Sequence, residues 1–183
     1  MKITNFETKQ HLFEFVCSNL AGNVAISGGK SPIELYKHLN TNLTNKTSFW
    51  LVDERIVKRE SPDSNWGNIS EAMPNFALNE FETLPDFLDI CCLGFGDDGH
   101  FASIFEGFDD WKSNKKFLYT TASPTYSVQK RISLSPNYIK SSEQIWVLLI
   151  GDKQQILQKF LSQAQTPNNF LYNLPNLQVL CAK

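Results

Sequence analysis

The sequence predicts an α/β protein: one domain over residues 1–183, with a doubly wound, mostly parallel sheet and helices on both faces. Three observations predict it. Apolar segments with strand and helix periodicity alternate along the chain. Two strand segments, Phe87–Leu93 and Gln144–Ile150 (QIWVLLI), are nearly continuous in apolar residues, as strands covered on both faces are. The length, 183 residues at 42% apolar content, fills one core and is marginal for two.

The elements follow in order. Lys9 to Leu20 carries Leu12, Phe13, Phe15, Val16, Cys17 and Leu20 at helical spacing. Asn23–Ser27 (NVAIS) is a short apolar strand, and Ile33–Leu39 is a helix with Pro32 suited to its first turn. Ser48–Val52 (SFWLV) is the second strand. Asn65–Met73 opens a helix after the polar turn Ser61-Pro62-Asp63-Ser64. Phe87–Leu93 is the third strand, Gln144–Ile150 the fourth, and Lys153–Leu161 a helix. Arg131–Leu134 and Gln178–Leu180 read as short edge strands, and Phe108–Val128 as a loop with one short strand. A helix is expected to begin at His100. The layering is Rossmann-like, in a single sheet.

Charge and cysteine usage narrow the function. A formal net charge of −2 supplies no basic field for nucleic acid or an anionic membrane, but leaves room for a small anion held by local charge. Cys17, Cys91, Cys92 and Cys181 form no CxxC pair, so no zinc site is expected and the thiols read as reduced. Adjacent Cys91 and Cys92 should point to opposite faces of a strand. No signal peptide is read before the first helix, and no apolar run approaches the roughly 20 residues of a membrane span. The expectation is a cytoplasmic protein, a monomer or weak homodimer, without metal or organic cofactor.

Ligands of such sheets bind beyond the carboxyl ends of the strands, so the residues there are the candidates. After NVAIS come Ser27-Gly28-Gly29-Lys30-Ser31-Pro32. Glycines let backbone amides approach a ligand, and the helix that follows favours a phosphate. The spacing is neither a Walker loop nor GxGxxG, and an ordinary tight turn is the plain alternative. After SFWLV come Asp53-Glu54-Arg55, either a solvated strand end or an arrangement in which Arg55 faces an anion or oxyanion and Asp53 orients it or a substrate hydroxyl.

After the Cys91-Cys92 strand comes LGFGDDGHFASIFEG, residues 93–107, where Gly94, Gly96 and Gly99 surround Asp97 and Asp98 and deliver His100. A histidine at a helix start is kept uncharged by the dipole, as a general base must be, while a carboxylate such as Asp98 would fix its tautomer. A turn-capping histidine without chemistry is the alternative. His11 and His38, the other two of three histidines, lie on helices as surface or boundary residues. Lys153 starts a helix, where its charge opposes the dipole unless it reaches an anion, and Arg131 opens RISL. Lys30, Arg55, Arg131 and Lys153 thus gather near strand ends of a net-acidic chain, a pattern that favours an anionic small molecule.

In their order, these segments resemble the 6-phosphogluconolactonases, a family grouped with the glucosamine-6-phosphate deaminases. The matching stretches are Ile26–Pro32, Asp53–Arg55 with Ser64-Asn65, Leu93–Phe105, Arg131–Leu134 and Gly151-Asp152-Lys153, spanning roughly residues 22 to 160. The resemblance implies hydrolysis of 6-phosphoglucono-δ-lactone to 6-phosphogluconate in the oxidative pentose phosphate pathway, without cofactor. It implies that His100 is the catalytic histidine, with Arg55 near the reacting end or phosphate; Asp98, two residues before His100, is the candidate carboxylate beside it. The Gly28-Gly29 loop, Arg131 and Lys153 match the family's phosphate-side positions, and Ser27, Lys30, Ser31, Asp53, Asn65 and Gly96 are the further candidates for substrate and phosphate binding.

Two rival readings remain. The deaminases carry Asn-Glu after the histidine, with the Glu five positions on; here Ile104 and Phe105 stand there, and Arg55 replaces a usual aromatic. A non-catalytic sugar-phosphate sensing module would keep the glycine loop and Lys153 but could lose His100. From the lactonase pattern itself the chain departs at Phe101, where Thr is usual, and at Glu106, where Pro is common.

Overall fold

A computed structural model describes residues 1–162 and 170–183 of the chain. The chain runs through β1 (Lys2–Phe6), α1 (Lys9–Asn19), β2 (Gly22–Ile26), α2 (Ile33–Asn42), β3 (Thr47–Leu51), β4 (Asp53–Arg55), α3 (Asn65–Ala72) and β5 (Leu78–Asn79). A 3-10 turn (Phe81–Thr83) leads to β6 (Ile90–Leu93), β7 (Phe117–Thr121), β8 (Lys130–Leu134), α4 (Pro136–Lys140), β9 (Gln144–Ile150), α5 (Gln154–Leu161) and β10 (Leu177–Ala182).

Seven strands form one sheet in the order β1-β10-β9-β6-β2-β3-β5, and every pair in it is parallel. Its helices lie on both faces, which the strand pleat makes visible. Phe6 of β1 and Trp146 of β9 both meet Phe15 of α1, with ring centroids 5.2 and 6.0 Å apart. Leu149 and its lateral neighbours Cys181 and Asn5 point the other way and line a groove with Leu157 and Leu161 of α5. The central strands are buried on both sides: Ile90–Leu93 is buried throughout, with Cys91 and Cys92 on opposite faces of the pleat.

Helix starts follow local chemistry. Thr8 Oγ1 accepts from the His11 amide at 3.2 Å, and Ser64 Oγ accepts from the Gly67 amide at 3.0 Å. Ser135 caps α4 in the same way, accepting from the Tyr138 amide at 3.2 Å. Glu54 adds a second cap to α3, its two oxygens accepting from the Asn65 and Trp66 amides at 2.7 and 2.6 Å.

The structure departs from the sequence reading in five places. A second, three-stranded antiparallel sheet, β4-β8-β7, stands beside the parallel one, so the strands do not form a single sheet. Arg131–Leu134 lies in its central strand rather than at an edge. Val52 joins the sheets: its amide donates to Ile26 O at 2.9 Å, and its carbonyl accepts from the Leu134 amide at 2.8 Å. The segment 178–180 lies in β10, an internal strand, because the polar segment KITNF pairs outside it as the edge. An edge strand needs no apolar run, which is why β1 has no periodic signal. The third strand begins only at Ile90, with Phe87 half exposed. No helix begins at His100; residues 101–107 form bridges and turns. Phe117–Thr121 supplies the one strand expected within Phe108–Val128.

Phe160 of α5 is fully buried, and its ring meets Phe95, just past β6, at 5.1 Å. Phe160→Ala should cost about 3–5 kcal/mol, the range for truncating a buried aromatic. Equilibrium denaturation measures it; a loss below about 1 kcal/mol, small for any core site, would show that α5 does not brace this turn.

Candidate active site

The chain leaves β2 toward β3 on one side of the sheet and leaves β6 toward β9 on the other. The β2–β6 pair is therefore the switch point, where the loops beyond the strands part and leave a crevice. Ser27 spans it: its hydroxyl donates to Cys92 O at 2.9 Å and accepts from the Gly94 amide at 3.2 Å. Beyond lies an open cleft of about 200 Å³.

Ser27, Gly28, Gly29, Lys30 and Ser31 line this cleft from the β2 side, Asp53, Arg55 and Asn65 from β4 and the start of α3, Gly96 and His100 from the β6 turn, and Lys153 from the start of α5. The structure brings these together. It leaves two candidates off the cleft wall. Asp98 stands behind the histidine. Arg131 is 5% exposed, with Nε donating to Val128 O at 3.0 Å and its guanidinium 5.6 Å above the Tyr126 ring. Burial and the charge of Arg55, its cross-strand partner, lower the Arg131 pKa, while Asp53, Tyr126 and Glu54 oppose that shift.

His100 is set by the turn that precedes it. The Gly99 amide donates to Gly96 O at 2.9 Å, and the Gly96 amide donates to His100 O at 3.0 Å. A Cβ on Gly96 would sit 2.1 Å from His100 Cε1 and Nδ1, so only glycine lets the ring lie there. Asp98 Oδ1 accepts from the His100 amide at 3.1 Å and faces Nδ1 at 2.5 Å. A carboxylate at that distance assigns the proton to Nδ1 and leaves the lone pair on Nε2, which makes no hydrogen bond among the described residues. Burial raises the Asp98 pKa, but its bonds to His100, the imidazole's charge and the Tyr126 hydroxyl together hold it below the usual carboxylate value. Phe105 stacks on the imidazole at 4.6 Å. The absence of a helix removes the dipole as the agent acting on this ring; Asp98, Tyr126 and Phe105 surround it instead.

The cationic side is equally fixed. Arg55 Nη1 donates to Asn65 Oδ1 at 2.8 Å and Asp63 O at 2.9 Å, and Asn65 Nδ2 donates to Asp53 O at 2.9 Å. Gly28 is required by closeness, since a Cβ there would lie 2.0 Å from Asn65 Cγ. Buried Asp53 accepts from Ser103 Oγ at 2.6 Å. Lys153 Nζ lies 3.6 Å from Asp97 Oδ1, and Lys159 Nζ donates to Asp97 O at 3.3 Å. Among the described residues, no group of three His, Cys, Asp or Glu side chains is disposed to hold a metal ion, and no helix is long and apolar enough to cross a membrane.

Sequence reading missed Glu54 as the cap of α3, Ser103 as the partner of Asp53, and Tyr126. Ser103 lay within a motif already singled out, and Glu54 beside two candidates. Tyr126 lies in the segment without periodicity and left no signal. Phe101, the departure in the histidine segment, is buried and stacks on Phe170 at 6.2 Å, turned into the core.

Fold and cleft together define a doubly wound α/β protein with a polar cleft at its switch point, lined by Lys30, Arg55 and Lys153 and carrying a carboxylate-held histidine. The chain belongs to the family described as glucosamine-6-phosphate isomerases/6-phosphogluconolactonase, whose model matches residues 8–85 and 76–177. It is 28% identical over 185 residues to a 6-phosphogluconolactonase of Helicobacter pylori, covering 88% of this chain and 79% of the relative. It is 26% identical over 211 residues to one of Haemophilus influenzae, covering 92% and 88%. The fold matches the crystal structure of a 6-phosphogluconolactonase from Shewanella baltica with a TM-score of 0.85 at 19% identity, over 100% of this chain and 98% of that one. For the Thermotoga maritima structure the TM-score is 0.78 at 23% identity, over 99% and 98%.

Gly96→Ala should leave the protein folded, at a cost of about 1–3 kcal/mol for the forced shift, and break the Asp98–His100 contact. A crystal structure of the variant checks this. An unmoved imidazole would show that the glycine is not what places the ring.

Proposed function

We propose that this protein is a 6-phosphogluconolactonase: it hydrolyses 6-phosphoglucono-δ-lactone to 6-phosphogluconate in the oxidative pentose phosphate pathway. The observation that carries the reading is His100, with Nδ1 tied to Asp98 and Nε2 free, in one cleft with Arg55, Lys30 and Lys153. Family membership and the similarity to 6-phosphogluconolactonases of Helicobacter pylori and Haemophilus influenzae support it.

Nε2 takes a proton from water as the water oxygen attacks the lactone carbonyl carbon. The carbonyl pair moves onto oxygen, and donors near the attack site stabilise that oxyanion; Arg55 and the backbone amides of the Gly94–Gly96 turn are the candidates. Collapse re-forms the carbonyl and breaks the bond to the ring oxygen, which receives the proton from Nε2. The imidazole ends as it began, and the ester oxygen leaves as a hydroxyl. A lactone is an activated ester, so the chemistry asks for no metal and no organic cofactor. Asp98 keeps the Nδ1 proton in place and favours the transient imidazolium.

The sugar's phosphate is held by the Ser27–Ser31 loop with Lys30 and Lys153, residues that line the cleft together. Arg131 acts from behind Arg55 rather than by contact, since its guanidinium is buried off the cleft wall. Asp53 and Asn65 hold Arg55 and the glycine loop in register. The reaction belongs to one cytoplasmic domain over residues 1–183, acting as a monomer or weak homodimer.

The test compares lactone turnover, corrected for spontaneous hydrolysis, in wild type and His100→Ala, with 6-phosphogluconate binding as a control. His100→Ala should lower kcat by about 10²–10⁴-fold, the worth of a positioned general base, and keep product affinity. Undiminished turnover would remove the proposed base. Binding without turnover in wild type would identify a sensing module instead.

A further inference from the structure

We infer that Tyr126 is a positioning residue for His100: its hydroxyl anchors the outer oxygen of Asp98 and so fixes the direction and tautomer of the imidazole. The inference rests on the hydrolytic reading above only for its kinetic consequence.

The argument starts from the carboxylate. Asp98 Oδ1 is engaged twice by His100, through the amide at 3.1 Å and the ring at 2.5 Å. Its side chain is 47% exposed, so packing does not prevent rotation about the Cβ–Cγ bond. A carboxylate held by one oxygen can turn toward water and release the ring proton's acceptor. Tyr126 Oη donates to Oδ2 at 3.2 Å and closes that rotation. The same hydroxyl stands 3.4 Å from His100 Nδ1, so it lies over the junction of the pair.

The tyrosine is itself braced. Its ring meets the imidazole edge-on at 5.9 Å and 86°, and Phe105 at 5.3 Å. The Arg131 guanidinium sits 5.6 Å above its ring from β8, and its amide closes a turn onto Ser123 O at 3.0 Å. Tyr126 does not line the cleft, so it acts through Asp98 and His100 and not on a bound molecule. This also gives Arg131 a use: buried beside the cleft, it holds the phenol that holds the carboxylate.

The phenol bond keeps Asp98 against the ring. Without it the carboxylate turns toward water, the imidazolium loses its fixed counter-charge, and the ring gives up its proton at lower pH. The other charged groups facing the pair are Asp97 on the same turn, Arg131 from β8, and Lys153 and Lys159 from α5 through Asp97. All remain in Tyr126→Phe, which removes one oxygen and keeps the ring contacts.

Two readouts test the inference. The first is an NMR titration of the His100 ring in wild type and Tyr126→Phe, its signal identified by its loss in His100→Ala. The second is steady-state kinetics on the lactone. The titration midpoint should move to lower pH. The kcat should fall roughly two- to tenfold, the net worth of one hydrogen bond, with KM within about twofold because no substrate contact is lost. An unmoved midpoint with unchanged kcat would overturn the inference. So would a wild-type-like Tyr126→Phe beside an impaired Tyr126→Leu, which would reduce the residue to packing. No lactone turnover in wild type, with the midpoint still shifted in Tyr126→Phe, would remove the hydrolytic reading and leave the positioning intact.

Discussion

The structure depends on how β2 and β6 part. Within the sheet their backbones are locked in parallel register, Val24 beside Ile90 and Ile26 beside Cys92. One residue later the ladder ends and the chain must satisfy its amides differently. Ser27 does this with one hydroxyl, bonding both Cys92 O and the Gly94 amide. Tyr36 Oη donates to Ser27 O at 2.5 Å, so the residue is also fixed from α2. A buried residue with its polar groups paired is a rigid point. From it the glycine loop is directed one way and the histidine turn the other, and every side chain on the cleft is measured from that divergence.

Rigidity at the fork is then carried outward by polar bonds. On the β2 side, Gly28 abuts Asn65, Asn65 holds both Arg55 and Asp53 O, and Glu54 ties the start of α3 to β4. On the β6 side, Asp98, Phe105 and Tyr126 surround the imidazole. The second sheet joins the two. Its strand β4 carries Asp53 and Arg55, and its strand β8 carries Arg131, which braces Tyr126. Ser103 closes the circuit, donating to Asp53 while its amide donates to Ser133 Oγ at 3.2 Å.

Much of this was legible in the sequence, for physical reasons that differ by element. The central strands read clearly because burial on both faces leaves them no polar positions, as in QIWVLLI. The cleft residues read clearly because glycines and charges at strand ends conflict with simple packing, and such conflicts mark function. Edge strand β1 was silent because its burial needs only partial apolarity. The second sheet was silent because β4 is three residues long and follows β3 after Val52 alone; Asp53-Glu54-Arg55 looks like a solvated end unless its partner β8 is known. The expected helix after His100 failed because FASIF has apolar spacing that bridges Phe95–Phe101 and Phe101–Ile104 satisfy in a compact turn. Tertiary pairing overrode local periodicity there.

That failure changes the physics assigned to the histidine. A helix dipole would act on the ring through backbone charge, which no side-chain substitution removes. The observed arrangement acts through a carboxylate, a phenol and a stacked ring, each of which is a single side chain. Asp98 alone sets the tautomer, yet its exposure leaves it free to turn, so the carboxylate needs a second tether. Arg131 becomes intelligible on the same ground. Buried where its charge is disfavoured, it is retained beside Tyr126 and Arg55, between the two halves of the site. The imidazole on the cleft is thus held through residues that do not line it, and the antiparallel sheet, with the β7–β8 connection that carries Tyr126, supplies them.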